Sequence, residues 1–310
     1  YVTNLLNQDG IKVVHTLDEI TYKPESLYIY SSAIPIESDR FEDFYDKENV
    51  LSRPEYLKNL SENNKIIGIT GTHGKTSTTA LLSHIFHFNN VNVSYLYGGI
   101  TTFNGIGGHY GDPDQPLILE TDEAFNTFEK IKISDLLVLN VDSDHLDYFK
   151  NLDNYKDAFY KVMKNVTDNL VINNDDLNIK SMKDLKNPVS YGKDTSADFK
   201  VQSPGNFKYE NNKYEIKSDI IGDHFKANML GAIILALLNG IEIKDSLNAI
   251  ESFAGVKRRI ELIGISKGVL IYDDYGHHPT EMEATITALK QQTESKLYVV
   301  FQPHRYTRKI

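Results

Sequence analysis

The sequence predicts an α/β fold in which a mostly parallel sheet carries a phosphate-binding loop. Short apolar runs that suit buried strands alternate with helical segments along most of the 310 residues, and this alternation is typical of parallel sheets. One strand leads directly into a glycine-rich loop and a helix, which is the order found at phosphate sites. The composition is 40% hydrophobic and 25% charged, as in globular proteins, and the length favours two domains, or two and a fragment.

The first 62 residues predict a small α/β unit. Apolar runs at 11–14 and 26–30 alternate with polar stretches that suit helices, such as 37–49. We expect this unit to be a separate N-terminal domain.

Residues 63–266 predict the central parallel-sheet domain. Residues 194–221 differ from the rest, because they alternate polar and apolar side chains around a turn at 203–206, which indicates a small antiparallel insertion. The predicted strands cover 65–70, 117–119, 135–139 and 169–172, and the predicted helices cover 76–89, 154–163, 225–238 and 244–252.

Residues 267–310 predict the opening of a third domain. A strand at 270–272, a helix at 280–291 and a strand at 296–301 suit one β-α-β unit. The chain starts with Tyr1 rather than Met and ends shortly after the last predicted strand. We therefore expect it to be a piece of a longer protein.

The composition excludes several classes of function. The 33 basic residues are outnumbered by 43 acidic ones, for a net charge of -10, so the chain as a whole does not attract nucleic acid or anionic lipid. The absence of cysteine excludes disulfides, thiolate metal sites and a cysteine nucleophile, and cytoplasm is the expected compartment. No apolar run approaches the roughly 20 residues that span a bilayer, so we expect no membrane insertion.

The segment 68–76, with the sequence GITGTHGKT, predicts a phosphate loop. Glycines let backbone amides face an anion, Lys75 reaches terminal phosphates, and the hydroxyl of Thr76 suits a magnesium ion. Ile69 stands where the strict Walker pattern has glycine, so this loop is a shorter relative. A glycine-rich turn with an incidental lysine is the alternative. The loop alone does not separate a kinase, a GTPase switch, an ATPase and a ligase.

Longer motifs resemble the Mur ligase family. Residues 71–76 are similar to the ATP signature of that family. Residues 273–281 (DDYGHHPTE) and 301–308 (FQPHRYTR) resemble the branch that acts on UDP-N-acetylmuramate and L-alanine, and residues 31–35 (SSAIP) resemble its nucleotide-sugar domain. The resemblance implies a three-domain architecture, with a central P-loop ATPase domain between N-terminal and C-terminal Rossmann-like domains that are both incomplete in this chain.

Acidic residues and a histidine follow two of the predicted strands. Glu120 and Glu123 come after the strand at 117–119, at the sheet edge where open α/β folds bind ligands. The resemblance implies that Glu120 holds magnesium together with Thr76, that His145 holds a second magnesium, and that Glu123 contacts substrate. A solvated strand end and a structural histidine are the alternatives. The chain departs from the usual family pattern at Ala124, Phe125, Leu139, Asp142 and Phe225.

The segment 222–228 resembles a family segment that contacts ATP from the start of a helix. The resemblance implies that His224 and Asn228 bind nucleotide, and that Arg259, from a pair of arginines, does so too. The alternatives are an ordinary helix start capped by Asp223 and a surface arginine. The predicted nucleotide-binding residues are Gly71, Thr72, His73, Gly74, Lys75, Thr76, Ser77, His224, Asn228 and Arg259.

The motifs near the end of the chain supply the predicted substrate side of the site. The resemblance implies that His277, Arg305 and Arg308, with Tyr275 beside them, hold the carboxylate of the amino acid or of the nascent product, a role that arginine suits through bidentate pairing. A plain helix start with Pro279 in its first turn also explains part of this sequence. The predicted catalytic residues are Lys75, His277 and Arg305.

The resemblance implies an ATP-dependent ligase that uses Mg²⁺. ATP would convert the carboxylate of UDP-N-acetylmuramate into an acyl phosphate, and L-alanine would then displace phosphate. These small molecules are the expected partners. One alternative is the recycling ligase that attaches a tripeptide to the same nucleotide sugar. Another is a nucleotide-binding module without ligase activity, which the missing N-terminal glycine-rich loop favours for the chain as given.

Overall fold

A ten-stranded, mostly parallel sheet forms the centre of the structure. The computed structural model describes residues 2–8, 10–16, 19–31, 34, 47–101, 103 and 105–302. The strands are β1 (Tyr28–Tyr30), β2 (Val50–Ser52), β3 (Ile66–Thr70), β4 (Ser94–Thr101), β5 (Gly105–His109), β6 (Leu117–Glu120), β7 (Asp135–Val138), β8 (Asn169–Asn173), β9 (Val189–Gly192), β10 (Phe199–Ser203), β11 (Asn206–Tyr209), β12 (Asn212–Glu215), β13 (Glu261–Ser266) and β14 (Val269–Asp273). The helices are α1 (Val2–Gln8), α2 (Arg53–Asn63), α3 (Lys75–Phe88), α4 (Leu146–Phe149), α5 (Leu152–Lys164), α6 (Leu177–Ser181), α7 (Asp223–Leu238), α8 (Ile243–Ser252) and α9 (Pro279–Gln291), with a 3-10 helix at Ala124–Lys130.

The order of strands in the large sheet is β12-β11-β10-β9-β8-β7-β3-β6-β4-β5. Neighbours from β10 through β4 run parallel, whereas β4 with β5, β10 with β11 and β11 with β12 run antiparallel. The predicted parallel α/β sheet is therefore confirmed. Because β3 lies between β6 and β7, the carboxyl ends of these three strands meet at one edge, where α/β sheets bind ligands.

Both faces of this sheet are buried. In β3, Ile67 and Ile69 belong to one apolar core, and Ile66 belongs to the other. Side chains alternate between the two faces of a strand, so a strand that is covered on both sides reads as a nearly continuous apolar run. Helices α3, α7 and α8 cover the first face, and α5 with the 3-10 helix covers the second.

Helix α7 runs through the first core. All of its residues from 228 to 236 are buried, which explains why its apolar side chains are not confined to one face. The residue at the N-cap is Gly222, with a φ of 115° and no side-chain cap, and Asp223 lies in the first turn. The alternative in which Asp223 caps this helix is therefore wrong. No helix in the described part of the chain has both the length and the apolar character to cross a membrane.

The described N-terminal residues contain two short strands and two helices. Strands β1 and β2 pair in parallel. Helix α2 then begins with a capping box, in which the Ser52 hydroxyl accepts from the Glu55 amide and the Glu55 carboxylate accepts from the Ser52 amide. The apolar run at 11–14 forms no strand. Most of the predicted polar stretch at 37–49 lies outside the described residues.

The predicted antiparallel insertion is a three-stranded meander that extends the large sheet. Strands β10, β11 and β12 pair antiparallel in sequence order. Phe199 of β10 also lies opposite Tyr191 of β9 in a parallel pair. The meander therefore adds strands to the edge of the sheet instead of forming a separate layer. Stacked rings of Phe199 and Tyr209, 4.1 Å apart, cover this end of the core.

The C-terminal residues form an antiparallel hairpin and a helix. Strands β13 and β14 pair with each other, and α9 begins with His278 at the N-cap and Pro279 as its first residue, close to the predicted start. The strand predicted at 296–301 is wrong, because these residues adopt no strand and Val300 is 98% exposed. A strand needs hydrogen-bonded neighbours, and within residues 257–302 the only paired strands are β13 and β14, which pair with each other. The predicted β-α-β unit is therefore not formed here.

Candidate active site

The phosphate loop connects β3 to α3 at the shared edge of the sheet. Gly71 and Gly74 have φ values of 145° and 86°, a region that favours glycine. A Cβ at Gly74 would lie 2.4 Å from Nδ2 of Asn228, and a Cβ at Gly71 would lie 3.0 Å from Cβ of Leu139. The loop therefore needs both glycines, for backbone conformation and for space.

Lys75 is held inside the loop by four oxygen atoms. Its Nζ donates to the carbonyls of Gly71 and Thr72 at 2.6 and 3.2 Å and pairs with both carboxylate oxygens of Glu123 at 2.8 and 3.0 Å. Burial alone would lower the pKa of Lys75, but Glu123 and the nearby carboxylates of Asp122 and Glu120 raise it. The lysine therefore carries its positive charge at the base of the loop.

Two predicted metal ligands lie side by side next to the loop. The Thr76 hydroxyl donates to Oε1 of Glu120 at 2.8 Å. The other oxygen of Glu120 accepts from the Gly98 amide at 2.7 Å. This contact fixes the carboxylate over the first turn of α3, so Thr76 and Glu120 present oxygens to one point.

The third predicted metal ligand, His145, lies with a different pair of carboxylates. Its Nε2 is 4.0 Å from Oε1 of Glu123, and ligand atoms of His145, Asp122 and Glu123 all lie within 4.8 Å of one another. His145 has a φ of 52°, an uncommon conformation that is found at functional sites. Tyr155 donates its hydroxyl to Glu123 at 3.2 Å and is 3.0 Å from the Thr72 hydroxyl.

His73 lies between two carboxylates on opposite sides of the loop. Its Nε2 is 3.3 Å from Oδ2 of Asp142, and its Nδ1 is 3.3 Å from Oε1 of Glu281 in α9. Asn140 holds the backbone of His73 by donating to its carbonyl and accepting from its amide, at 2.9 and 2.8 Å. The C-terminal segment is thus attached directly to the phosphate loop.

The opposite wall of the site comes from the C-terminal segment. Arg259 lies 5.5 Å from the ring of Tyr275 and 3.9 Å from Oε1 of Glu281. Burial alone would raise the pKa of Glu281, but His73 and Arg259 lower it to about 2, so the carboxylate is charged. The His277 ring lies beside Tyr275, with centroids 5.3 Å apart.

These walls enclose a cleft of about 310 Å³. Of the predicted site residues, Thr72, His73, Gly74, Lys75, Thr76, Glu120, Glu123, His145, Arg259, Tyr275 and His277 line it, together with Asp122, Asp144, His278 and Glu281. The cleft suits an anion, because a lysine lies at its base, and it also suits a cation, because five carboxylates line it. The predicted residues Arg305 and Arg308 lie outside the described residues.

A second, larger cavity adjoins the phosphate loop. Its volume is about 480 Å³, and it lies between the loop, the start of α7 and α9. Burial lowers the pKa of His224, against the opposing effect of nearby carboxylates, so its imidazole is neutral near pH 7. The predicted residues His73, Gly74, Ser77, His224, Asn228 and Arg259 line this cavity.

Sequence reasoning missed four residues of the site. Asp122 lies between Glu120 and Glu123 in the sequence, and this position was the only indication in the sequence that it belongs to the site. Tyr155, Asp142 and Glu281 reach the loop from α5, from the loop after β7 and from α9. Each depends on packing between elements that are distant in sequence, so no local pattern could have identified it.

Family comparisons decide what kind of protein carries this cleft. The family model of the Mur ligase middle domain matches residues 69–236, and that of the Mur ligase, glutamate ligase domain matches residues 258–309. The chain belongs to the Mur ligase family. This Mur ligase is 35% identical, over 325 aligned positions, to UDP-N-acetylmuramate–L-alanine ligase of Clostridium botulinum (strain Langeland), and the match covers 100% of this chain and 70% of the relative.

Other relatives agree with this assignment. A UDP-N-acetylmuramate–L-alanine ligase from Dictyoglomus turgidum is 34% identical over 98% of this chain and 68% of its own length. The crystal structure of UDP-N-acetylmuramate-alanine ligase from Thermotoga maritima matches with a TM-score of 0.80 at 24% identity, over 94% of this chain and 70% of that one. A murein peptide ligase from Psychrobacter arcticus matches with a TM-score of 0.73 at 22% identity, over 96% and 70%. These structural matches confirm the multi-domain Mur ligase fold.

Proposed function

We propose that this Mur ligase joins L-alanine to UDP-N-acetylmuramate, with ATP converted to ADP and phosphate. The observation that carries the proposal is that Lys75, Tyr275 and His277 line one cleft, because such a cleft can hold a phosphoryl group and an amino acid together. The curated relatives that match the whole chain at 34–35% identity bear the name of this activity.

The first step is phosphoryl transfer to the sugar carboxylate. A carboxylate oxygen attacks the terminal phosphorus of ATP, the bond to the bridging oxygen breaks, and ADP leaves. Lys75 neutralises charge on the transferred group. In the structure its ammonium is paired with Glu123, so binding of the phosphates would exchange one anionic partner for another without exposing the lysine to water.

The side chains around the loop fit a magnesium ion. Thr76 and Glu120 supply a hydroxyl and a carboxylate at one point, and Asp122 and Glu123 supply further oxygens near His145, which is the donor type that Mg²⁺ prefers. When bound, Mg²⁺ would offset negative charge on the phosphates and on the attacking carboxylate. We assign Thr76 and Glu120 as ligands of one Mg²⁺ and His145 as a ligand of a second.

The second step forms the amide. The amine of L-alanine attacks the acyl carbon, and phosphate leaves with one oxygen of the original carboxylate. We propose that His277, Arg305 and Arg308, with Tyr275, hold the carboxylate of the amino acid, in keeping with the resemblance of these motifs to the family. His277 and Tyr275 line the same cleft as Lys75, which supports this role.

The larger cavity is assigned to the nucleoside part of ATP. Its volume of about 480 Å³ falls in the range of small-molecule sites, roughly 300–1,000 Å³. The neutral imidazole of His224 and the amide of Asn228 would contact the base or ribose. Arg259 lines both this cavity and the cleft, so we assign it to the phosphates that connect them.

We further propose three functional regions. Residues 1–62 belong to the domain that binds the UDP-sugar, residues 63–266 form the ATP-binding domain, and residues 267–310 belong to the ligase domain that receives the amino acid. Since its substrates are nucleotides and a free amino acid, and no cysteine is present, we place the reaction in the cytoplasm.

Phosphate release tests the proposal. Full-length protein would be assayed with Mg²⁺, ATP and UDP-N-acetylmuramate, with and without L-alanine or the tripeptide that the recycling ligase would use. We expect release to require L-alanine, to be lost in Lys75→Met, and to persist in Lys161→Met, which changes an exposed lysine of α5. Release that depends on the tripeptide would instead identify the recycling activity, and ATP binding without turnover would identify a nucleotide-binding module.

A further inference from the structure

A cluster of two histidines and one aspartate joins the phosphate loop to the C-terminal segment. It consists of His73 in the loop, Asp142 after β7 and His278 at the start of α9. Their ligand atoms all lie within 4.8 Å of one another, and the two imidazole centroids are 4.7 Å apart. The imidazoles are largely enclosed, with side-chain exposures of 15% for His73 and 13% for His278.

Hydrogen bonds orient both imidazoles toward Asp142. Nε2 of His278 is 3.0 Å from the Ser143 carbonyl, which only accepts, so this nitrogen carries the proton. The unprotonated Nδ1 of His278 then faces Oδ2 of Asp142 at 4.0 Å. Nδ1 of His73 is 3.3 Å from the carboxylate of Glu281, and Nε2 is 3.3 Å from Oδ2 of Asp142. When His73 is neutral and donates from Nδ1 to Glu281, the lone pair of Nε2 is directed at Asp142.

This arrangement places two nitrogen lone pairs and a carboxylate oxygen around one point. Such a set is repulsive unless a proton or a metal ion lies between its members, so the ring protons and a metal ion would compete for this point. The oxygen also accepts from the Thr280 hydroxyl at 2.6 Å. Each of the three groups therefore has an outer partner, Glu281, Ser143 or Thr280, which is the pattern of metal ligands held by outer-shell hydrogen bonds.

We propose that Zn²⁺ binds between Nε2 of His73, Oδ2 of Asp142 and Nδ1 of His278. Metal–ligand bonds of about 2.0–2.2 Å in a tetrahedron put neighbouring ligand atoms about 3.3–3.6 Å apart. The distance between His73 and Asp142 already lies in that range, and the distance between His278 and Asp142 must shorten from 4.0 Å. The ion would replace the long contact, 3.3 Å, from the Thr280 amide to Nδ1 of His278.

The donor set separates this site from the one assigned to Mg²⁺. Two imidazoles and one carboxylate suit Zn²⁺, Co²⁺ or Ni²⁺, whereas Mg²⁺ prefers oxygen ligands. The consequence of binding is mechanical, because one ion would join the phosphate loop, the loop after β7 and α9. Bound Zn²⁺ would therefore fasten the C-terminal segment to the central sheet and occupy His73 of the phosphate loop.

Metal titration of the full-length protein tests this site. Zn²⁺ binding would be measured by calorimetry, and Co²⁺ binding by its visible absorption, in wild type, His278→Gln and Asp142→Asn. His277→Gln is the matched control, since it removes the neighbouring imidazole. His145→Gln reports whether the ion binds the Asp122 cluster instead. Circular dichroism confirms that each variant folds.

We expect one Zn²⁺ per chain. Affinity should fall by about 100-fold in His278→Gln and Asp142→Asn and be unchanged in His277→Gln and His145→Gln. Thr280→Val, which removes only the outer partner of Asp142, should weaken binding by about 10-fold and keeps the test decisive if a ligand variant misfolds. No binding, or binding that falls only in His145→Gln, would overturn the proposal.

Discussion

The buried pair of Lys75 and Glu123 gives the sharpest energetic prediction for the unliganded protein. Glu123→Gln removes the negative charge but leaves the ammonium with the carbonyls of Gly71 and Thr72, at 2.6 and 3.2 Å. Breaking a buried pair by removing one partner costs about 3–5 kcal/mol. Because those two carbonyls remain, we expect a loss near the lower end, about 3 kcal/mol.

Lys75→Met leaves the buried Glu123 carboxylate with the Tyr155 hydroxyl, 3.2 Å away, as a remaining donor. We expect a cost of about 3–4 kcal/mol. The double variant Lys75→Met/Glu123→Gln has no buried charge at this position, and replacing both partners of a buried pair is often close to neutral. The single losses sum to about 6–7 kcal/mol, so a nearly neutral double variant should be more stable than this sum predicts by about 6 kcal/mol.

Urea unfolding in the absence of nucleotide and metal measures this coupling. The four proteins of the cycle would be compared by circular dichroism and tyrosine fluorescence, with unfolding free energies taken where the two probes coincide. Losses that simply add, or a Glu123→Gln variant within about 0.5 kcal/mol of wild type, would refute the account of Lys75 as an ion held in place by Glu123.

Two further predictions concern the loop and its attachment to α9. Gly74→Ala combines a left-handed φ of 86° with a Cβ only 2.4 Å from Nδ2 of Asn228. The control Gly268→Ala has a similar φ of 81° but open space around the added Cβ, and it should lower the free energy of unfolding in urea by about 1–2 kcal/mol. Gly74→Ala should lower it clearly more, and equal losses would contradict the steric argument. Glu281 has a pKa lowered from 4.5 to about 2, so its stabilising effect is present above pH 4.5 and is lost as the pH falls toward 2. Glu281→Gln should therefore be less stable than wild type at pH 7 and as stable as wild type near pH 2. The control Glu283→Gln, at an exposed position of α9, should match wild type throughout. A difference in unfolding free energy between Glu281→Gln and wild type that does not change with pH would contradict the assigned pKa.

The sequence predicted the central sheet and the phosphate loop because both are encoded locally. Residues 66–70 form an apolar run, and the glycines and Lys75 that follow determine the turn and the start of α3. The predicted start of α3, Thr76, differs from the observed start by one residue. The same kind of local signal placed α9, where Pro279 lies in the first turn.

Features that depend on distant partners were not predicted. The apolar run at 296–301 has strand composition, but no neighbouring strand pairs with it in residues 105–302. Asp142 differs from the residue that is usual in the family at this position, and the sequence alone gave no reason for this difference. In the structure its carboxylate contacts His73 and Thr280, residues that lie about 70 and 140 positions away in sequence and meet only after the C-terminal segment packs on the sheet.

Oxygen transfer tests the central claim most directly. UDP-N-acetylmuramate labelled with ¹⁸O in its carboxylate would be incubated with the full-length protein, ATP, Mg²⁺ and L-alanine, and both products analysed by mass spectrometry. The account predicts an amide product that keeps one labelled oxygen, together with phosphate that carries the other. Phosphate without label, or ADP formed without an amide product, would contradict ligation through an acyl phosphate.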